Sequence, residues 1–515
     1  MTQKNILLIY ADELRADNLG CYGNTICKTP NLDQLAKEGT QFNQCMVTQP
    51  TCTPSRASLL TGCFPSALRT RMVGCYTPED ERFLPAVLRK EGYKTASIGK
   101  IHLVPQGKEA ECIEKTRDSE GKLNYFGFEE IDLVNGHGMH CFGPQYSEWL
   151  HEKVPDLEER LQSSEYLKPG INNELKTFTT QTWELPAEVH SGEYIVGKTQ
   201  DFLENNKKTE KPFFLHVSFP DPHYPLTVPE PYFSMYNAND IPEPIPPVSK
   251  EHHNPLSLQT KVHDGAYIET EWGKVDPLIG TAADNYSNYK NKDWRTAKAI
   301  YYGMTSLLDN QVGRILSTLD KTGLSENTIV LFVSDHGEYM GDHGFAGKGF
   351  HYDSVIRTPL LMRGSGIQAN QVIDSVASTL DIASTLFDCV GVQEPNTIQG
   401  FSMKQSLENG KALPRHAVMT ENDDDFVPMR MRTLTTNEWK YTQLAGSSEG
   451  ELYNRQQDPD ELHNLWKDEA YSEIKQAMSA CLSEHLLCAI DGSNGRVQLP
   501  TGQNTKYLPY HSKDL

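Results

Sequence analysis

The stretch "TQPTCTPSRASLLTG", residues 48–62, brings the chain to Cys52 through a proline-stiffened loop and then into Thr-Pro-Ser-Arg. Pro54 suits the first turn of a helix, where its missing N–H costs nothing, and Ala57, Ser58, Leu59 and Leu60 continue that helix. Cys52 is thereby predicted at a helix mouth. Elsewhere, Asp12, Glu13 and Asp335 are hard oxygen donors whose convergence needs a cation, with calcium or magnesium the natural choice. His336 adds a nitrogen and admits manganese or zinc. Arg56, Lys100 and Lys348 supply the positive charge that a tetrahedral oxyanion requires, while His102 and His223 titrate near neutrality and can move protons. Each also has a plainer reading: Cys52 as a small buried apolar residue, Asp335 as a cap on "HGEYMGDHG", Lys100 as a solvated side chain. A thiolate beside a carboxylate-rich metal site pairs poorly with ester hydrolysis, which points away from ordinary cysteine chemistry.

Positioning these groups requires strands that end where they stand. The apolar run Ile6 to Ile9 reads as a buried parallel strand stopping at Asp12 and Glu13. Residues 95–98 lead into "GKIHL", and "KPFFLHVSFPDPHYP" carries a strand into the loop of His223. A long helix is predicted over 295–321 from Ile300, Met304, Leu307, Leu308, Ile315, Leu316 and Leu319, closed by Gly323; "NTIVLFVSD" then runs into Asp335. A shorter helix is predicted over residues 29–39. Strand alternating with helix predicts an α/β fold with a large, mostly parallel sheet sandwiched by helices, whose ligands gather at the carboxyl ends of strands. Residues 429–444 read as antiparallel strands turning at Asn437, followed by a helix over 469–487. The expected division is residues 1–405 and a smaller α+β unit at 406–515. Proline-rich residues 229–255, and the segments 134–146 and 184–194, are predicted as surface loops; His137, His140 and His190 in the latter two are candidates for a pocket wall, with ordinary loop histidines as the plainer reading.

The 515 residues carry 48 basic and 69 acidic side chains, a formal charge of -21, which disfavours nucleic-acid and anionic-membrane binding. The run after Met1 is too short for a signal or membrane segment, so the chain as written is expected to be cytoplasmic, or periplasmic or secreted if a signal has been removed. Eleven cysteines without a CxxC predict free thiols rather than a disulfide framework.

Cys52, Pro54, Ser55, Arg56, Leu60, Thr61 and Gly62 resemble the C-x-P-S-R-x-x-x-L-T-G signature of the formylglycine-dependent (type I) sulfatases of the alkaline-phosphatase-like superfamily. "ADE", "GKIHL", "DPHYPL", "SDHGEYMGDHGFAGKG" and "GELYNRQQDPDELHNL" are similar to further family segments, in order along nearly the whole chain. The resemblance implies that a maturase reads Pro54 and Arg56 and oxidises Cys52 to formylglycine, whose hydrate attacks sulfur. It also implies that Asp12, Glu13, Asp335, His336 and the oxygen derived from Cys52 hold Ca2+, with Mg2+ or Mn2+ as alternatives. Arg56 and Lys100 would stabilise the hydrate. His223 and Lys348 would bind sulfate oxygens and protonate the departing alcohol, and His102 would take the proton that restores the aldehyde. Lys100, His223, Lys348 and His190 are the expected substrate contacts, and the expected substrate is a small-molecule or oligosaccharide sulfate ester. Many members carry Asp-Asp at the first pair and Asp-Asn at the second. The Asp335-His336 form resembles the branch of iduronate-2-sulfatase, choline sulfatase and the phosphonate monoester hydrolases, the last being the alternative activity. A non-catalytic sulfated-glycan binder with unmodified Cys52 is the third reading.

Overall fold

The structure, a computed structural model, describes residues 3–79, 82–157, 180, 183–246, 268–270, 273–275, 290–413, 415–423 and 430–489. Eight strands form the main sheet: β1 (Asn5–Ala11), β2 (Thr40–Phe42), β3 (Lys94–Gly99), β4 (Glu130–Leu133), β5 (Phe213–Ser218), β6 (Thr328–Ser334), β7 (Leu360–Arg363) and β8 (Gln371–Ile373). Their order is β8-β2-β7-β6-β1-β5-β3-β4. Pairing is parallel throughout except where β7 meets β2 and β6. The central strand β1 alternates Ile6, Leu8 and Tyr10 toward one apolar layer with Leu7, Ile9 and Ala11 toward the other. Both faces are therefore covered, each fully buried aliphatic side chain contributing about 1.5–3 kcal/mol.

Helices α1 (Pro30–Lys37), α2 (Cys52–Thr61), α3 (Gln106–Lys115), α4 (Pro144–Lys153), α5 (Ser191–Asn206), α6 (Asn291–Lys321) and α7 (Asp381–Val390) flank the sheet. Ala57, Leu59 and Leu60 of α2 pack with the Ile6 layer; Leu32 of α1, Ile195 of α5, and Leu308 and Val312 of α6 pack with the Leu7 layer. The loop expectations need correction at two places. Pro144 at the first turn starts α4 inside the 134–146 segment, and His190, accepting from the Gly192 N–H, caps α5 inside the 184–194 segment. Sequence reading missed both starts because the polar and aromatic residues there carry no clear apolar period. The 229–255 loop is described only to residue 246, with one turn of 3-10 helix at Ala238–Asp240.

A second sheet, β9 (Ala417–Asn422), β10 (Met431–Thr436), β11 (Trp439–Leu444) and β12 (Gly450–Asn454), is antiparallel. Helix α8 (Ser472–Cys488) packs on it through Met478, Cys481 and Leu482. Residues 490–515 of the expected C-terminal unit lie outside the described residues. Among the described residues no helix is long and apolar enough to cross a membrane.

Candidate active site at the carboxyl edge of the sheet

Adjacent parallel strands in register end together: Ala11 of β1 faces Ser334 of β6, and Gly99 of β3 faces Ser218 of β5. The residues that follow, Asp12, Asp335, Lys100 and the His223 loop, are delivered to one edge. Gly99 has φ +102°, and a Cβ there would lie 1.9 Å from the Ser218 carbonyl oxygen, so glycine is needed for Lys100 to leave the strand at this angle.

Cys52 is the first residue of α2, and all ten residues of that helix are buried. Its Sγ lies 3.3 Å from His336 Nε2, 3.4 Å from Lys348 Nζ and 3.7 Å from Asp12 Oδ1. Burial pushes the thiol up to about 12, with Asp12 and Asp335 adding to the effect against Lys348 and Lys100, so it is not a thiolate at neutral pH. Arg56, one turn on, ties the site together. Its Nε donates to Asp335 Oδ2 at 2.9 Å, and its Nη1 donates to the Lys100 carbonyl at 3.0 Å and to Ser218 Oγ at 2.9 Å. Ser55 Oγ donates to the Asp335 carbonyl at 2.6 Å.

Ligand atoms of Asp12, Cys52, Asp335 and His336 lie within 4.8 Å of one another. His336 Nδ1 is 2.9 Å from the Gly337 carbonyl, which fixes its proton there and leaves the Nε2 lone pair facing the cluster, the tautomer a metal ligand needs. Burial keeps this imidazole neutral. Burial raises Asp12, but Lys100 and Arg56 outweigh it and hold the carboxylate well below its usual range. Two carboxylates, one imidazole lone pair and a group from position 52 fit a divalent cation.

Glu13 is oriented differently from the other expected ligands. At φ +66°, its backbone N–H donates to Asp335 Oδ1, and its carboxylate turns to His223 Nε2 at 3.0 Å and Lys348 Nζ at 3.1 Å, outside the four-residue cluster. Burial pushes Glu13 well up, with Glu338 nearby adding to the rise against Lys348. His223 Nδ1 faces the Tyr224 carbonyl at 2.5 Å, so Nε2 accepts from Lys348 Nζ at 3.1 Å. His102, at φ +59°, is held by its N–H to Glu109 Oε2 at 3.2 Å; burial, with Lys100 and Arg56 beside it, keeps its ring neutral. Glu109 also accepts from Tyr125 and Asn135.

His190 is engaged as the α5 cap, with Asp221 3.8 Å from its Nε2, and among the described residues it makes no contact to Cys52, Lys100 or Lys348. The site instead includes His137, whose ring stacks on His223 at 3.6 Å and whose Nε2 lies 2.8 Å from Lys100 Nζ. His140 is exposed and ends the 3-10 turn Gly138–His140 that His137 opens. Sequence signals for His137 were weak: it follows β4 at the same sheet edge, but in a segment with no periodicity.

This constellation has counterparts in known proteins. The sulfatase family model matches residues 4–392, and a model of the N-sulphoglucosamine sulphohydrolase C-terminal region matches residues 341–486. The chain belongs to the sulfatase family. As a sulfatase it is a sulfuric ester hydrolase. It is 31% identical over 492 residues to an arylsulfatase of Clostridium perfringens, covering 91% of each chain. It is 28% identical to human iduronate 2-sulfatase, covering 84% of this chain and 77% of that one. Its fold is similar to that of the phosphonate monoester hydrolase of Agrobacterium radiobacter, with TM-score 0.77, 26% identity, and coverage of 97% of this chain and 99% of the other.

Proposed function

We propose that this sulfatase releases inorganic sulfate from a sulfated carbohydrate, with Cys52 matured to formylglycine, Ca2+ as its metal, and a catalytic set of Cys52, Arg56, Lys100, His102, His223 and Lys348. The observation that carries this reading is the position of Cys52 Sγ among Asp12, His336 and Lys348, at 3.3–3.7 Å. Asp12, Asp335 and His336 would hold the cation. When present, the matured side chain supplies an oxygen nucleophile and the cation lowers the cost of its ionisation.

The chain's own residues then have distinct tasks. Arg56 and Lys100 hold the two carboxylates apart from bulk water and balance their charge, which fixes the ligand oxygens before substrate arrives. Lys348 carries the labile protons on the substrate side, because the His223 proton is committed to the Tyr224 carbonyl and its Nε2 accepts. A sulfate oxygen displacing the Glu13 carboxylate from Lys348 would receive that ammonium, and the departing alcohol would take its proton from the Lys348–His223 pair. His102, buried beside Lys100 and Arg56, is the proposed proton acceptor. The division into residues 1–405 and 406–515, proposed with it, is supported by the separate antiparallel sheet.

Phosphonate monoester hydrolysis is the second reading, favoured by the likeness in fold to the Agrobacterium enzyme. Side-by-side turnover of 4-nitrophenyl sulfate and 4-nitrophenyl phenylphosphonate, by protein produced with a maturase, is expected to favour the sulfate. A large preference for the phosphonate would overturn that order, and an unconverted thiol in the Cys52 peptide by mass spectrometry would overturn the nucleophile.

A further inference from the structure

We propose that His137 contacts the substrate, donating an Nδ1–H hydrogen bond to an oxygen of the sulfate ester; this rests on the sulfatase reading above. Lys100 Nζ sits on the Asp12 carboxylate and is therefore an ammonium, which can only donate. Its approach to His137 Nε2, at 2.8 Å, makes that nitrogen the acceptor and leaves the ring proton on Nδ1. Asp12 Oδ2 lies farther from Nε2, at 3.4 Å, than Lys100 Nζ does. Among the described residues Nδ1 has no hydrogen-bond partner, although the side chain is only 19% exposed.

Its neighbours are closed by comparison: side-chain exposure is 0% at Lys100, 3% at Lys348 and 7% at His223. His137 is thus the rim of the charged pocket, with one nitrogen turned to its floor and the other free at its mouth. Stacking at 7° between planes on His223 fixes the ring, so the donor is held without loss of rotamer freedom on binding. An ester with three non-bridging oxygens brings acceptors into a pocket whose other donors, Lys100 and Lys348, are cations already paired with carboxylates.

Two substitutions separate the two nitrogens. The amide nitrogen of His137→Asn takes the place of Nδ1–H, whereas the amide oxygen of His137→Gln reaches toward Lys100 and leaves the Nδ1 position empty. In the matured, metal-loaded enzyme, His137→Gln is expected to raise both KM for 4-nitrophenyl sulfate and the inhibition constant of inorganic sulfate about tenfold, with kcat within threefold. His137→Asn is expected to leave both constants within threefold and to lower kcat, since Lys100 loses its acceptor. Equal constants in the two variants, or no rise with His137→Gln, would overturn the proposal. Formylglycine content and thermal midpoint check that both variants are intact. Should the parent release no sulfate at all, the sulfatase reading fails on its own, and calorimetric titration with inorganic sulfate still decides the contact by the same ranking.

Discussion

Two parts of this protein bury carboxylates with lysines, and they differ in what is left over. At the sheet edge, Asp12, Asp335, Arg56, Lys100 and Lys348 surround a thiol and a bare imidazole nitrogen. Beneath the antiparallel sheet, Lys440 Nζ meets Asp353 at 3.0 Å, the His351 carbonyl at 2.8 Å, and Glu461; Arg455 meets Asp353 at 2.7 Å, and the Asp353 N–H donates to Glu461 at 3.0 Å. In that second cluster, Lys440 of β11 and Arg455 just past β12 answer Asp353 and Glu461, which lie outside the sheets, and fasten the segment carrying Lys348. Buried charge alone therefore does not mark an active site. Ligand atoms gathered within 4.8 Å of one another, with the proposed nucleophile precursor among them, set the first cluster apart.

The sharpest break between the two clusters is removal of Cys52. Cys52→Ala is expected to lower kcat for sulfate release by on the order of 10⁴-fold or more, with the thermal midpoint nearly unchanged, since activity there depends on one reacting group. Retained activity would remove the distinction. Lys440→Ala should do the reverse, costing about 3–5 kcal/mol by stranding the buried Glu461 carboxylate, while kcat of the folded fraction stays within tenfold; urea unfolding and active-site titration separate the two quantities. Chelation reads the first cluster alone: the matured protein should lose activity with EDTA and regain it with Ca2+. A gain in stability of about 2.7 kcal/mol is expected at a hundredfold excess over the dissociation constant, measured by calorimetry. Absence of both would reassign the four-residue cluster.

The smallest effect is on pH. Burial lowers His216 and His351 to about 3 and His343 to about 4, so the native state keeps them neutral. The unfolded chain takes up these protons below about pH 6.5, so stability is full above that value and falls as pH drops toward 4, by about 1.4 kcal/mol per unit for each ring. His343→Gln should flatten the slope of urea midpoints between pH 7 and 5 by about one such step. An unaltered slope would show that His343 is not neutral in the folded protein.

What sequence could reveal divides along the same line. Strand ends were legible because apolar runs that stop at an acid or lysine have a local cause, and Asp12, Lys100 and Asp335 stand where those runs predict. The start of α2 was legible from Pro54. The turn of Glu13 away from the Asp12–Cys52–Asp335–His336 cluster was not, because it depends on a positive φ and on Asp335, 322 residues on. His137 reaches the site through stacking on a residue from another strand's loop, and His190 is drawn into a cap by its own following turn. The Lys440 cluster joins residues from three distant segments, and no spacing announces such a meeting.

The placement of β1 between β5 and β6 has a temporal corollary. A chain leaving the ribosome amino end first must hold its opening strand half-clad until residues 328–334 emerge. His336 lies 284 residues beyond Cys52, a delay on the order of tens of seconds at ordinary elongation speeds. Throughout that interval the sulfhydryl has no completed wall around it, which would give the proposed maturase its opening before the sheet closes.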